Sequence, residues 1–173
     1  YLDQLINDSS ADGYTTVGIP SDRFEINTLY DMDEYWQKKD IIEIINGGVH
    51  IINHVGHSYV SEIMKMDLSD IDSLTNNKCF FIYSQGCKAG AFDNLEIDPD
   101  YGPYCIAENI TVKTEHGAFA AIMNAREGFF WSFRTDSDSQ RYHREFWDAV
   151  FGENITIISK ANQDSKEDNL YLI

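Results

Sequence analysis

Short apolar runs alternate with amphipathic stretches along the chain, which is typical of an α/β protein with a mainly parallel sheet. Residues 49–53 and 79–83 are almost continuously apolar, as expected of strands that are buried on both faces, and residues 117–123 are predicted to form a third strand. Two further extended segments are predicted at residues 14–19 and 24–29. These three runs are therefore the predicted strands of the sheet, and the first two are the predicted buried ones.

Helical spacing of apolar residues predicts the elements between these strands. Residues 31–48 are expected to form a helix with most apolar side chains on one side, and residues 139–151 a second long helix. Short helical segments are predicted at residues 67–74 and 104–109. The stretch 93–103 contains two prolines and four acidic residues, which indicates an irregular loop.

Length and charge narrow the class of protein. A chain of 173 residues is long enough for one domain with its own core, and we assign residues 1–173 to a single domain. The 13 basic and 29 acidic residues give a net charge of −16, the wrong sign for binding nucleic acid through its phosphates. No run of 18 apolar residues is present, so no membrane segment is predicted.

Cysteines and chain ends give further expectations. An odd number of cysteines without a CxxC pair predicts neither a disulfide framework nor a zinc ribbon, and leaves at least one free thiol. Sequons at Asn7, Asn109 and Asn154 are a weak indication of an extracellular or cell-surface location. The abrupt start and the strand-like residues 171–173 lead us to expect a piece of a longer protein.

Strand direction separates the candidate reactive residues. Reacting groups of parallel sheets gather at the carboxyl ends of the strands, and His57 and Cys87 each follow a predicted buried strand. Their separation of 30 residues corresponds to one helix-plus-strand crossover, which places neighbouring strands side by side. Cys79 instead opens its predicted strand, and His116 precedes its strand. We therefore expect His57 and Cys87 to share one edge, with imidazole and sulfur roughly 4 to 7 Å apart.

An imidazole facing a thiol is the arrangement that a cysteine nucleophile needs, because the thiolate is the attacking form. Gly56 and Gly86 are expected to allow backbone conformations closed to other residues, so that an amide beside each reacting residue can stabilise an oxyanion. The cation of Lys88 is expected to favour the thiolate.

Other interpretations of these residues stay open. His54 is interpreted as a hydrogen-bonded residue at a strand end, and His50 and His143 as structural. A zinc site formed by His54, His57 and Cys87 is a chemical alternative, although no nearby acids support it. Residues 8–13 imitate the start of a calcium loop, but Ile19 stands where a bidentate glutamate is required, so we predict a turn.

Two motifs at the predicted edge resemble those of the gingipain-type cysteine peptidases, the caspase-like family C25. The family carries an N-Y-x-G-H-G pattern after one strand and a C-x-x-G-x-F-D pattern after the next. The matching residues in this chain are Asn53-His54-Val55-Gly56-His57-Ser58 and Cys87-Lys88-Ala89-Gly90-Ala91-Phe92-Asp93. Flanking segments at residues 28–31, 44–48 and 117–122 are also similar, so the resemblance covers most of the chain.

The resemblance implies a three-layer, caspase-like α/β sandwich, in this chain a partial domain that lacks flanking strands. It implies that His57 and Cys87 are catalytic in cleaving a protein or peptide substrate, and that the amides of Ser58 and Cys87 form the oxyanion hole. Asn53, Gly56 and Gly86 would be supporting residues.

Trp131 follows the third strand, where family members build a specificity pocket, and it is equally a candidate for the core. The resemblance implies that catalysis needs no cofactor, and that structural calcium and association with other parts of the same precursor are possible. The family usually has glycine at the position of Ser58, so a non-catalytic binding or structural domain is the alternative.

Overall fold

The computed structural model describes residues 1–33, 35–93, 104–131 and 133–170. These residues divide into two compact units. We call Thr28–Gly128 the sheet unit, and Tyr1–Asn27 together with Phe129–Ile173 the terminal unit. The assignment of residues 1–173 to one domain stays a prediction.

Seven strands and five helices follow one another along the described part of the chain. The strands are β1 (Asp8–Ala11), β2 (Tyr14–Val17), β3 (Ile51–His54), β4 (Glu62–Ile63), β5 (Met66–Asp67), β6 (Phe80–Ser84) and β7 (Ala118–Met123). The helices are α1 (Lys38–Gly47), α2 (Leu68–Asp72), α3 (Ile106–Glu108), α4 (Asp138–Phe151) and α5 (Ile158–Glu167). A 3-10 turn at Leu2–Leu5 precedes β1, and a π-helical turn at Asn109–Lys113 follows α3.

A three-stranded parallel sheet in the order β3-β6-β7 forms the centre of the sheet unit. The central strand β6 is buried along its whole length, as its apolar sequence predicts. His54 pairs with Ser84, and Ser84 pairs with Met123, so the three strands end at one edge. We call this the carboxyl edge. The three predicted strands and their parallel direction are thus confirmed, whereas burial along the whole strand holds for β6 alone: β3 and β7 are mostly half-buried.

The first helix is shorter than its apolar spacing predicts. Helix α1 begins at Lys38, because Gln37 is extended and its amide donates to the Asp40 carboxylate at 2.7 Å, which forms a capping box. Of the predicted helix, residues 31–33 and 35–37 lie outside α1. Residues 24–29, predicted to be extended, form no strand.

The predicted turn at residues 8–13 belongs to a β-hairpin. Strands β1 and β2 pair antiparallel, and Asp12 and Gly13 between them have φ of 53° and 87°. Positive φ at both central residues is the geometry that favours an Asp-Gly sequence in a two-residue hairpin. Of the predicted loop at residues 93–103, residues 94–103 lie outside the described part, as do residues 171–173.

The terminal unit packs α4 against α5 and the hairpin. Its core contains Phe146 and Trp147, whose rings meet edge to face at 5.0 Å. His143 is fully buried and its ring lies 6.2 Å from that of Trp147, in agreement with a structural role. Arg144 is also fully buried, and its guanidinium donates to neutral oxygens of Thr16, Thr135 and Gln4. Hydrogen bonding satisfies this buried cation.

Carboxylates gather where α4 meets α5. Ligand oxygens of Glu153, Asp164 and Asp168 lie within 4.8 Å of one another. Burial, followed by repulsion from Asp148 and these acids, raises the pKa of the half-buried Glu145 to about 7. Because folding raises this pKa, the stability that Glu145 contributes is complete below pH 4.5 and is lost as the pH rises through about 7.

Replacing Glu145 by glutamine is therefore expected to raise the free energy of unfolding at pH 8 by roughly 1 kcal/mol, a value reduced for solvent screening of a half-buried group. The gain should vanish near pH 4.5, where the carboxyl of the folded chain is neutral and no longer repelled. Urea unfolding at the two pH values measures it, with the exposed Glu43→Gln on α1 as the matched control. An equal effect at both pH values would show that charge is not its cause.

No helix in the described part of the chain is both long and apolar enough to cross a membrane.

Candidate active site

Three loops leave the carboxyl edge of the sheet unit, one after each strand. The 55–60 loop follows β3 and carries His57, the 85–93 loop follows β6 and carries Cys87, and the 124–128 loop follows β7. His57 and Cys87 thus lie on neighbouring loops of one edge.

The first two loops are bonded to each other. The Ser58 hydroxyl donates to the carbonyl oxygen of Cys87 at 2.7 Å, and Ser58 is 5% exposed. A β-carbon at Gly86 would lie 2.1 Å from the Ser58 hydroxyl oxygen, which is too close for any side chain. The structure therefore brings Ser58, Gly86 and Cys87 together.

The expectation about the two glycines is wrong in its reason. Neither Gly56 nor Gly86 has a positive φ. Both are required by space, because a β-carbon at Gly56 would lie 2.9 Å from Nε2 of His54. Close approach of neighbouring side chains, rather than backbone conformation, requires glycine at these positions.

His54 is the hydrogen-bonded strand-end residue that its sequence position indicates. Its Nδ1 lies 2.8 Å from the Ser84 hydroxyl, and that hydroxyl also accepts from the Gly86 amide at 3.1 Å. Burial lowers the pKa of His54 to about 4, so the ring is neutral at pH 7. Through Ser84, His54 supports the residue that precedes Cys87.

Cys87 is half-buried, and its sulfur lies against the backbone of Gly128. The Gly128 amide nitrogen is 3.4 Å from Sγ, and the Gly128 carbonyl oxygen is 3.9 Å from it. The Lys88 ammonium forms an ion pair with Glu127 at 3.3 Å. The sequence predicted a cation near the thiol and did not predict this acidic partner. Lys88 has a φ of 59°, a left-handed conformation uncommon outside glycine.

His57 is exposed and makes no hydrogen bond to another described residue. Its separation from the Cys87 sulfur therefore stays a prediction. Asn53 lies on β3 opposite Tyr83 in β6. Ser58, the residue after His57, forms an antiparallel β-bridge with Ile63. The hydrogen bond in this bridge runs from the Tyr59 amide to the Glu62 carbonyl oxygen at 2.8 Å.

The other candidate residues lie elsewhere. Cys79 is exposed before β6, and Cys105 is buried, with burial raising the pKa of its thiol. Nδ1 of His116 lies 2.9 Å from the carbonyl oxygen of Asn76, before β7. Trp131 belongs to the terminal unit. Its side chain is 67% exposed, so Trp131 is not a core residue.

The zinc alternative lacks the required geometry. Within the described ranges, Glu153, Asp164 and Asp168 are the group whose ligand atoms converge within 4.8 Å, and His54, His57 and Cys87 do not converge in this way. Carboxylate oxygens are ligands that calcium accepts, but exposed acidic groups are common without an ion. Structural calcium stays a prediction.

Several contacts at this edge could not be predicted from residue types. The Ser58 hydroxyl, the Ser84 hydroxyl and the backbone of Gly128 act through hydrogen bonds that depend on how three loops meet. The one signal in the sequence was the serine at a position where the resembling family has glycine.

The parallel α/β sheet, with the loops of His57 and Cys87 at its carboxyl edge, has the fold of the caspase-like cysteine peptidases. The sequence profile of peptidase family C25 matches residues 2–172, and the chain belongs to this family. This confirms the resemblance noted in the sequence.

A crystal structure of gingipain R, described as an Arg-specific cysteine proteinase, is similar in fold, with a TM-score of 0.60 at 20% sequence identity. The similarity covers 77% of this chain and 30% of the gingipain R chain. The chain thus corresponds to about a third of that protein's length. No curated protein sequence matches the chain.

Proposed function

We propose that the protein is a cysteine endopeptidase in which Cys87 is the nucleophile and His57 the general acid and base. The observation that carries this proposal is the 2.7 Å hydrogen bond from Ser58 to Cys87, which joins the loops of the two residues at one sheet edge in a C25 chain. A half-buried sulfur beside an amide donor supports the same role.

The proposed reaction follows from these groups. His57 takes the thiol proton of Cys87, and the thiolate attacks the scissile carbonyl carbon. The resulting oxyanion is stabilised by the amides of Ser58 and Cys87. Collapse of this intermediate breaks the C–N bond, and His57 protonates the leaving amine to give a thioester. His57 then takes a proton from water, which hydrolyses the thioester and releases Cys87. None of these steps uses a cofactor.

The oxyanion role of the two amides is supported by their availability. Within the described residues, neither the Ser58 amide nor the Cys87 amide donates a hydrogen bond to another group. The Gly86 amide, in contrast, donates to Ser84 and does not enter the proposal as an oxyanion donor. Supporting roles for Asn53, Gly56 and Gly86 complete the proposed site.

Substrate and location are proposed on the family alone. We propose a protein or peptide substrate, an extracellular or cell-surface location, and association with other parts of the same precursor. Trp131 is proposed for the specificity pocket because it is an exposed aromatic residue shortly after the 124–128 loop. The arginine specificity named for gingipain R is a property of that protein.

A non-catalytic binding or structural domain is the second candidate, favoured by the exposed His57 without a hydrogen-bond partner among the described residues. Such a domain would keep the fold and lose the activated thiol. Thiol reactivity distinguishes the two candidates.

A peptidyl acyloxymethyl ketone is expected to label Cys87 stoichiometrically, because this reagent needs an activated thiolate. His57→Ala should slow labelling at least roughly 100-fold, the usual contribution of a general acid–base group. Intact-mass measurement with peptide mapping gives the rate and the site. His50→Ala, an exposed histidine ahead of β3, is the control and should label at the normal rate. An inert Cys87 in the full-length precursor would favour the non-catalytic domain.

A further inference from the structure

The 124–128 loop is bound along the 85–93 loop by backbone hydrogen bonds. The Lys88 amide donates to the Arg126 carbonyl at 2.8 Å, and the Gly90 amide donates to the Asn124 carbonyl at 3.0 Å. These bonds lie on both sides of Ala89, directly after the nucleophile. The backbone after Cys87 is therefore held by the loop that follows β7.

A side chain and two ion pairs strengthen this contact. The Asn124 side-chain amide donates to the Gln85 carbonyl at 3.0 Å, which ties the loop to the residue two before Cys87. Arg126 pairs with Asp93 at 2.5 Å. Together with the ion pair of Lys88, these contacts fix the loop from position 85 to position 93.

The loop ends at Gly128, where its backbone reaches the Cys87 sulfur. A β-carbon at Gly128 would lie 2.0 Å from the Gln85 carbonyl oxygen and 2.7 Å from the Asn124 side-chain nitrogen. Gly128 is thus packed against the same amide–carbonyl pair that Asn124 forms. Removing the Asn124 amide would free the Gly128 backbone to move away from the sulfur.

The two backbone groups of Gly128 suit different forms of the thiol. The Gly128 carbonyl oxygen, 3.9 Å from Sγ, can accept a hydrogen bond only from the S–H group of the neutral thiol. The Gly128 amide, 3.4 Å from Sγ, can donate a hydrogen bond to the sulfur atom of either form. A hydrogen bond to an ionised acceptor is roughly twice as strong as one to a neutral acceptor. The Gly128 amide therefore favours the thiolate over the thiol.

We propose that the 124–128 loop is a positioning element for Cys87, in which the Gly128 amide stabilises the thiolate and the Asn124 side chain holds that amide in place. The inference deepens the proposed function, on which it rests for the use of the thiolate. It adds Asn124 as a positioning residue, and the sequence motifs gave no indication of this role.

Alkylation of Cys87 by iodoacetamide tests the proposal, because the thiolate displaces iodide and the thiol does not. In Asn124→Ala, alkylation at pH 7 should be ~5-fold slower than in the unaltered chain, less than the roughly tenfold expected for losing a charge-assisted hydrogen bond outright, because the Gly128 amide loses its support and is not itself removed. At pH 10, well above the ordinary pKa of a free thiol, the two rates should be equal. Peptide mass spectrometry separates Cys87 from Cys79 and Cys105.

The controls distinguish positioning from loosening of the fold. Asn77→Ala removes an exposed asparagine that bonds to no described residue, and it should leave both rates unchanged. If Asn124→Ala fails to fold, Arg126→Ala loosens the same loop from an exposed position and should slow alkylation about twofold at pH 7 only. An equal change at both pH values, or no change, overturns the proposal.

The outcome is independent of peptide cleavage. A pH-dependent effect of Asn124→Ala in a protein that cleaves no peptide and resists the acyloxymethyl ketone would support the positioning role while the proposed function fails. Labelling that depends on His57 but does not change in Asn124→Ala would support the proposed function and overturn the positioning role.

Discussion

Gly86→Ala is expected to lower the free energy of unfolding by about 2 to 3 kcal/mol, the upper range for overpacking a filled interior. The new β-carbon would lie 2.1 Å from the Ser58 hydroxyl oxygen and 2.7 Å from the Ser58 β-carbon. Ser58 is buried and bonded to the Cys87 carbonyl, so it cannot move aside without breaking that bond. Urea unfolding at pH 7 measures the loss.

A double variant identifies the clash. Ser58→Gly removes both atoms, and the next neighbour of the new carbon is the Gly56 carbonyl oxygen at 3.2 Å. Gly86→Ala should therefore cost at least about 1 kcal/mol less in the Ser58→Gly background than alone. Gly47→Ala is the matched control, because no atom lies within 4 Å of its added carbon. Additive effects of the two substitutions would contradict the assignment of Ser58 as the obstacle.

Acidification from pH 6.5 to about pH 4 is expected to remove about 3 kcal/mol of stability through His54. Burial lowers the pKa of this ring from 6.5 to about 4, so the unfolded chain binds a proton that the folded chain refuses. Lowering the pH from 6.5 to about 4 therefore reduces the free energy of unfolding progressively. Above pH 6.5 the contribution of His54 is constant. The Ser84 hydroxyl bonded to Nδ1 keeps the neutral ring in place.

His54→Gln isolates this contribution, because glutamine can hydrogen-bond to Ser84 but does not titrate. The variant should lose less stability than the unaltered chain between pH 6.5 and 4, while other groups such as Glu145 titrate equally in both. Urea midpoints at half-unit pH intervals give the difference between the two curves. Parallel curves would mean that His54 is not buried in its neutral form.

The core sheet could be predicted because burial on both faces leaves almost no polar residue in β6 and makes its ends visible. Strand direction then assigned His57 and Cys87 to one edge. Helix α5 was not predicted, since its buried residues are Ala161 and Ser165 rather than large apolar ones. Its position depends on packing against α4, which periodicity does not encode.

The candidate site was less predictable than the sheet. Residue types identified a thiol, an imidazole and two glycines, but the glycines were explained by backbone freedom when space is the cause. Residue types alone give the Ser58 hydroxyl no role. Its bond to the Cys87 carbonyl depends on tertiary packing of two loops that are 29 residues apart in the chain.

The contact between Ser58 and Gly86 also limits the order in which these positions can change during evolution. A chain with a side chain at position 58 has no room for one at position 86, and the reverse holds as well. A lineage that acquires alanine at position 86 avoids the overpacking cost of about 2 to 3 kcal/mol only by first replacing Ser58 with glycine, and it loses the bond between the two loops on the way. Among relatives, at least one of the two positions should therefore be glycine.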